Sequence, residues 1–146
     1  MNWLYIVIAA LSGSAMALQG TFNAVLGKIV GIWQSTLLVH VIGTLSVTLI
    51  IILIGRGFEG LDKIGSVPWY AFLGGILNVL IIYAVVRSIP EIGVGNVTTA
   101  IIVAQILTAV AIDSTGAFGM DKYDFKYIDL LGILFLALGT RILLLD

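Results

Sequence analysis

Five side chains able to bind a polar ligand lie inside segments that are otherwise apolar. They are Gln19, Asn23, His40, Asn78 and Gln105. An uncharged amide offers donors together with an acceptor, and inside hydrocarbon it has to face another helix or a polar cavity. These residue types therefore indicate recognition of a neutral or zwitterionic ligand by hydrogen bonds.

The depth of these side chains predicts one shared site. If consecutive helices run in alternate directions, Gln19 and His40 fall toward the same leaflet, close to the level of Asn78 and Gln105. The predicted substrate-binding residues are Gln19, Asn23, His40, Asn78, Gln105 and Thr98. The alternative is that each amide only joins two helices, which contributes about 0.6–2 kcal/mol. His40 taken alone is more typical of a packing residue than of a proton carrier.

No group of residues has the spacing of a catalytic or metal centre. The sequence contains no cysteine, which excludes disulfides and Cys-ligated zinc. Its acidic residues lie at the ends of the apolar runs, so the mid-membrane carboxylate typical of proton-coupled export of cations is missing. Phosphate-binding loops and nucleophile triads are also missing. We predict that the protein is not an enzyme and uses neither a cofactor nor a metal.

Membrane-spanning helices must carry these side chains. Of the 146 residues, 60% are hydrophobic and 10% are charged, and the mean hydropathy is +1.17. A soluble domain needs more charge than this to cover its surface. The net charge of −1 argues against nucleic acid as a partner. Composition therefore predicts an all-α membrane protein.

Apolar runs long enough to cross a bilayer predict five helices in a single domain, 1–146. They cover about residues 3–26, 33–54, 69–88, 96–112 and 128–144. Pro90 ends the third helix, because proline lacks an N–H donor and disfavours helix before it. The fourth is short and follows Gly93 and Gly95, as interrupted segments at transporter sites do. The alternative is that the helix continues through these glycines.

One face of the first predicted helix carries only small residues that recur at steps of three and four. Its helix-packing residues are Gly13, Ala17, Gly20, Ala24 and Gly27. Small residues let two backbones approach closely within a membrane. We predict that another helix packs on this face.

The short loops give little information about orientation. The cations expected on the N-terminal side are Arg56, Lys63, Lys122 and Lys126, and those on the other side are Lys28, Arg87 and Arg141. Lys and Arg residues in short loops determine the orientation of a membrane protein. A nearly equal number on the two sides therefore predicts insertion in both directions. Two oppositely inserted copies can then pair as an antiparallel homodimer. The alternative is one fixed orientation.

Strings along nearly the whole chain are similar to those of one known family. They are LQGTFNAVLGK, HVIGTLSV, PWYAFLGGIL, IVAQILTAVAIDSTGAFG and LLGILFLALG. On these strings the chain resembles the YdcZ family of small inner-membrane proteins in the drug/metabolite transporter superfamily. The matching positions are Gln19, Asn23, Ala24, Gly27, Pro68, Trp69, Gly74, Gln105, Asp113 and Gly116. His40, Asn78 and Arg87 are departures from the family pattern.

The resemblance implies a multi-pass protein of the bacterial inner membrane, with five transmembrane helices forming the half-unit of a ten-helix fold of two inverted repeats. It implies transport but names no substrate. We therefore predict an antiparallel homodimer in the lipid bilayer that exports, or passively exchanges, a small polar metabolite by alternating access. The alternatives are a dual-topology passive ion channel and a structural or lipid-interacting membrane protein.

Overall fold

The structure is a computed structural model, and almost all of the chain that it describes is helical. It describes residues 3–55, 58, 60–124 and 126–143, and no β-strand occurs within them. The α-helices in these ranges are α1 (Trp3–Val30), α2 (Ile32–Ile54), α3 (Leu73–Thr115) and α4 (Tyr127–Leu143). Short 3-10 helices occupy Leu61–Ser66, Trp69–Phe72 and Ala117–Gly119. The prediction of an all-α protein is confirmed.

Three helical stretches in the described chain are long and apolar enough to cross a membrane. They are Trp3–Val30, Ile32–Ile54 and Trp69–Thr115. Large apolar side chains on them are exposed in the single chain, as at Leu53, which is 74% exposed. Exposed apolar surface of this extent is unstable in water and suits the hydrocarbon of a bilayer. These helices are those of a membrane protein.

α3 is interrupted after Pro90 and not before it. The sequence predicts a helix end near Ser88, but α3 continues through Pro90 and its non-helical residue is Gly93, with φ 82° and ψ 162°. Proline removes one helical hydrogen bond and crowds the carbonyl of Val86, four residues earlier. The break lies three residues after the proline, at a glycine, since residues with a Cβ avoid this backbone region.

The break at Gly93 divides α3 into two parts, residues 73–92 and 94–115. These parts cover the third and fourth predicted helices, and α4 overlaps the fifth. α4 has 17 residues, somewhat fewer than the roughly 20 that a perpendicular crossing needs. The number of five crossings stays a prediction.

The chain divides into two compact units, Met1–Glu91 and Ile92–Asp146. In the first, α1 and α2 are joined by Gly31 alone, whose φ of 96° favours glycine. Ser35 is fully buried, and its Oγ donates a hydrogen bond to the backbone oxygen of Asn23 at 3.1 Å. The rings of Trp33 and Tyr83, on α2 and α3, lie 4.7 Å apart. Side chains of α2 therefore contact both α1 and α3 in this unit.

The C-terminal half of the small face of α1 packs against α3. Its buried members are Gly20, Ala24 and Gly27. A Cβ added at Gly27 would lie 2.3 Å from Cγ1 of Val86, far inside contact distance. Toward the N-terminus, Ala17 is half-buried and Gly13 is exposed, with no atom within 4 Å of an added Cβ. The close approach therefore uses only part of the predicted face.

In the second unit, a turn after α3 leads to α4. The backbone N–H of Tyr123 donates to the carbonyl oxygen of Asp113 at 2.9 Å, which ties the turn to the end of α3. Asp129 accepts a hydrogen bond from the backbone N–H of Lys126 at 2.8 Å, at the start of α4. The loop cation Arg56 and the last residue of the fifth predicted helix, Leu144, lie outside the described residues.

Candidate functional site

His40 on α2 and Asn78 on α3 are joined by a hydrogen bond. Nδ2 of Asn78 lies 3.1 Å from Nε2 of His40, and Nδ1 of His40 lies 2.7 Å from the backbone oxygen of Thr36. A carbonyl oxygen can only accept, so Nδ1 carries the proton. In a neutral ring Nε2 is then the acceptor that the amide N–H requires. Both contacts therefore indicate the same neutral tautomer of His40.

Asn78 retains most of its hydrogen-bonding capacity after this contact. A side-chain amide has two N–H groups and a carbonyl oxygen. Within the described chain, the side chain of Asn78 makes one hydrogen bond, to His40. Asn78 is exposed, whereas His40 is half-buried. A polar group facing hydrocarbon costs free energy unless it is paired. The exposed side of Asn78 is thus available to a ligand or a second copy of the chain.

Gln19 and Asn23 lie four residues apart on α1 but have different surroundings. Gln19 is exposed, whereas Asn23 is only 7% exposed, between the turns of α1 that pack on α2 and α3. Within the described residues neither side-chain amide makes a hydrogen bond, although the backbone oxygen of Asn23 accepts one from Ser35. α1 therefore contributes one accessible amide and one enclosed amide.

Gln105 and Thr98 belong to the second unit, on the 94–115 part of α3. They are seven residues apart, which places them two turns apart on one face of the helix. Gln105 is exposed and Thr98 is half-buried. Their side chains make no hydrogen bond to any other described residue. Among the six predicted site residues, the hydrogen bond between His40 and Asn78 is thus the direct contact within the described chain. That all six residues form one shared site stays a prediction.

Most hydroxyl groups on the helices are satisfied by their own helix. Those that donate to the carbonyl four residues earlier include Thr21, Thr36, Thr48, Thr99 and Thr108, at 2.8–2.9 Å. A hydroxyl bonded in this way needs no partner from another helix. The side-chain amides of Gln19, Asn78 and Gln105 make no such hydrogen bond within their own helix. They therefore need a ligand or a second polar surface as a partner.

A cavity lies between α1, α2 and α3. The sequence patterns did not predict it. Its lining residues are Gly27, Lys28, Ile32, Val86, Arg87 and Pro90. The available signal was that Lys28 and Arg87 end the first and third predicted helices on the same side of the membrane. Among the described residues, no cluster of histidine and acidic side chains has the arrangement of a metal site.

A family model described as "Putative inner membrane exporter, YdcZ" matches residues 4–142. The matched range includes all six candidate site residues and nearly all of the four α-helices. No curated protein and no solved structure matches the chain. Because the match extends over almost the full length, the chain belongs to the YdcZ family that this model describes.

Proposed function

We propose that this membrane protein transports a small neutral or zwitterionic metabolite, and that it works as an antiparallel homodimer by alternating access. Membership in an exporter family supports transport in general. The substrate class rests on one observation: most hydroxyls on the helices are satisfied by their own helix, whereas the amides of Gln19, Asn78 and Gln105 are exposed and keep unused donors and acceptors.

The charges support a substrate without net charge. The amides are neutral, and the hydrogen bonds of His40 fit its neutral form. Within the described spans no carboxylate lies near the level of Asn78, and an isolated cation or anion there would lack a counter-charge. A ligand with its own donors and acceptors can instead exchange hydrogen bonds with water for hydrogen bonds with amides.

Exposure of the single chain supports a dimer. The buried apolar side chains within the described chain are Ala24, Ile82, Val86 and Val97. Lipid can cover the remaining apolar surface, but it cannot satisfy the exposed amides of Asn78 and Gln105. A second copy can supply a polar surface, and the balanced loop charges favour an antiparallel arrangement. Rocking of two such copies would expose a site between them to each side in turn.

The amides can be tested by single substitutions in liposomes. A thermal-shift screen of amino acids, polyols and neutral sugars first identifies a ligand, because a bound ligand stabilises the folded state. We then expect Gln19→Ala and Gln105→Ala to lower its flux about fivefold, since one ligand hydrogen bond contributes on the order of 1 kcal/mol. Both variants should keep their melting temperature. Thr108→Val is the control, because its hydroxyl is satisfied within its own helix.

Variants that melt earlier and still transport at the normal rate would show that the amides only join helices. Ion flux that does not saturate would indicate a passive channel, and the absence of flux for every ligand would indicate a structural role.

Dual insertion can be tested with one reporter, because the chain contains no cysteine. Gly65 lies in the exposed connection between α2 and α3, with no atom within 4 Å of an added Cβ. We expect a membrane-impermeant thiol reagent to label about half of the Gly65→Cys molecules in intact cells. Permeabilised cells provide the value for complete labelling. All-or-none labelling in intact cells would rule out the antiparallel dimer.

A further inference from the structure

The cavity between α1, α2 and the 73–92 part of α3 has a volume of about 180 Å³. Its apolar wall is formed by Ile32, Val86 and Pro90, together with the backbone of Gly27. Lys28 and Arg87 also line it, and both residues are exposed. The cavity surface is therefore mainly apolar, and its lining includes two cationic residues that reach solvent.

The predicted end of the third crossing near Ser88 would place both cations at the level of lipid headgroups. Lys28 lies in the last turn of α1, and Arg87 lies shortly before the break in α3 at Gly93. Long basic side chains at the ends of apolar helices extend toward the membrane surface. Next to Lys28, Ile29 is 78% exposed, so the cavity lies beside surface that suits acyl chains.

The charges at the cavity match one phosphodiester. Arg87 forms an ion pair with Glu91 one turn later, which offsets one of the two positive charges. A guanidinium has five N–H groups, so this pair leaves donors for a ligand. Within the described chain, Lys28 makes no ion pair or hydrogen bond through its side chain. Lys28, Arg87 and Glu91 together leave one net positive charge.

Helix ends do not decide the affinity of this cavity for an anion. The C-terminal turn of α1 presents carbonyl groups, which disfavour an anion, and the N-terminal turn of α2 presents N–H groups, which favour one. Both turns meet at Gly31, where no side chain caps α2. Their opposite partial charges largely cancel, so the side chains of Lys28 and Arg87 supply the attraction.

We propose that this cavity binds an anionic phospholipid, with Lys28 and Arg87 donating to its phosphate oxygens and the adjacent acyl chain lying against Ile32 and Val86. Basic cavities between transmembrane helices are suited to such headgroups. The apolar wall favours a lipid over free phosphate, because only a lipid covers both kinds of surface. This site does not depend on the proposed transport function.

The test measures the melting temperature of the purified full-length protein in detergent as phosphatidylglycerol is added. We expect stabilisation by phosphatidylglycerol, and none by phosphatidylcholine with the same acyl chains, glycerol phosphate or inorganic phosphate. Lys28→Gln and Arg87→Gln should each raise the lipid concentration for a half-maximal shift about tenfold or more, because each removes charge-assisted hydrogen bonds. Lys63→Gln, in the exposed connection before α3, should leave that concentration unchanged.

Several results would overturn the proposal. Equal stabilisation by phosphatidylcholine would show only non-specific binding of lipid, and equal stabilisation by glycerol phosphate would show a site for free anions. A missing shift with phosphatidylglycerol would show that no site exists. If Arg87→Gln fails to fold, Lys28→Gln decides alone: a variant that responds like the unmodified protein contradicts the assignment.

Discussion

Gly27→Leu is expected to lower the free energy of unfolding by about 1–3 kcal/mol, the usual cost of overpacking a close contact. Even a Cβ at this position would lie 2.3 Å from Cγ1 of Val86, and a leucine adds three further carbons. Valine is stiff about χ1, so it cannot turn away freely. The helices would have to separate, which breaks the packing of α1 on α3. Equilibrium unfolding in a denaturing detergent measures the loss.

Two further variants make this prediction specific. Gly13→Leu lies on the same face of α1 but has open space around it, so we expect its stability to remain close to that of the unmodified protein. Val86→Ala removes the atoms that a side chain at position 27 would meet, so it should partly restore Gly27→Leu. Equal losses for Gly13→Leu and Gly27→Leu would show that close packing at Gly27 does not explain the effect, since leucine has the higher helix propensity of the two residues.

Gly93→Val is expected to destabilise the protein by about 1–3 kcal/mol through the backbone alone. The φ of 82° and ψ of 162° at Gly93 belong to a region that is almost restricted to glycine. An added Cβ would meet no atom within 4 Å, so overpacking does not contribute. A β-branched residue would force the break in α3 to move or straighten. The melting temperature in detergent reports the loss.

Gly95→Val is the matched control for this variant. Gly95 lies two residues later in the same helix, also has open space, and has no positive φ. The melting temperature of Gly95→Val should be unchanged or slightly raised, because valine has a higher helix propensity than glycine. If Gly93→Val and Gly95→Val have the same melting temperature, the break at Gly93 is not held in this backbone conformation.

The apolar runs were enough to predict the helices, but the break in α3 required more. A proline in a helix always removes one hydrogen bond, yet the sequence does not say whether the helix ends there or bends and continues. Here the helix continues through Pro90 and breaks at Gly93, where the absence of a Cβ permits the positive φ. Similarly, the period of small residues predicted a face on α1. It could not predict that α3 crosses that face near Gly27 and leaves Gly13 exposed.

For His40 and Asn78, the sequence predicted similar depth but not the contact between their side chains. Alternating helices place His40 and Asn78 at similar depth, and the rotation of each helix then determines whether their side chains meet. That rotation depends on packing between α1, α2 and α3, which no local pattern encodes. The cavity at Lys28 and Arg87 was missed for the same reason, because the two cations are 59 positions apart in the printed sequence.

The single-residue connection at Gly31 makes the protein sensitive to bilayer thickness. α1 has 28 residues and α2 has 23, so α1 is about 7.5 Å longer. Because Gly31 alone connects them, the end of α1 and the start of α2 lie at the same membrane surface. The extra length of α1 then has to be accommodated by tilt or by extension beyond the opposite surface. A thinner membrane would increase that mismatch, and the shared turn would transmit the tilt of one helix to the other. Acyl-chain length is therefore expected to adjust the geometry of the α1–α2 pair even where no lipid is specifically bound.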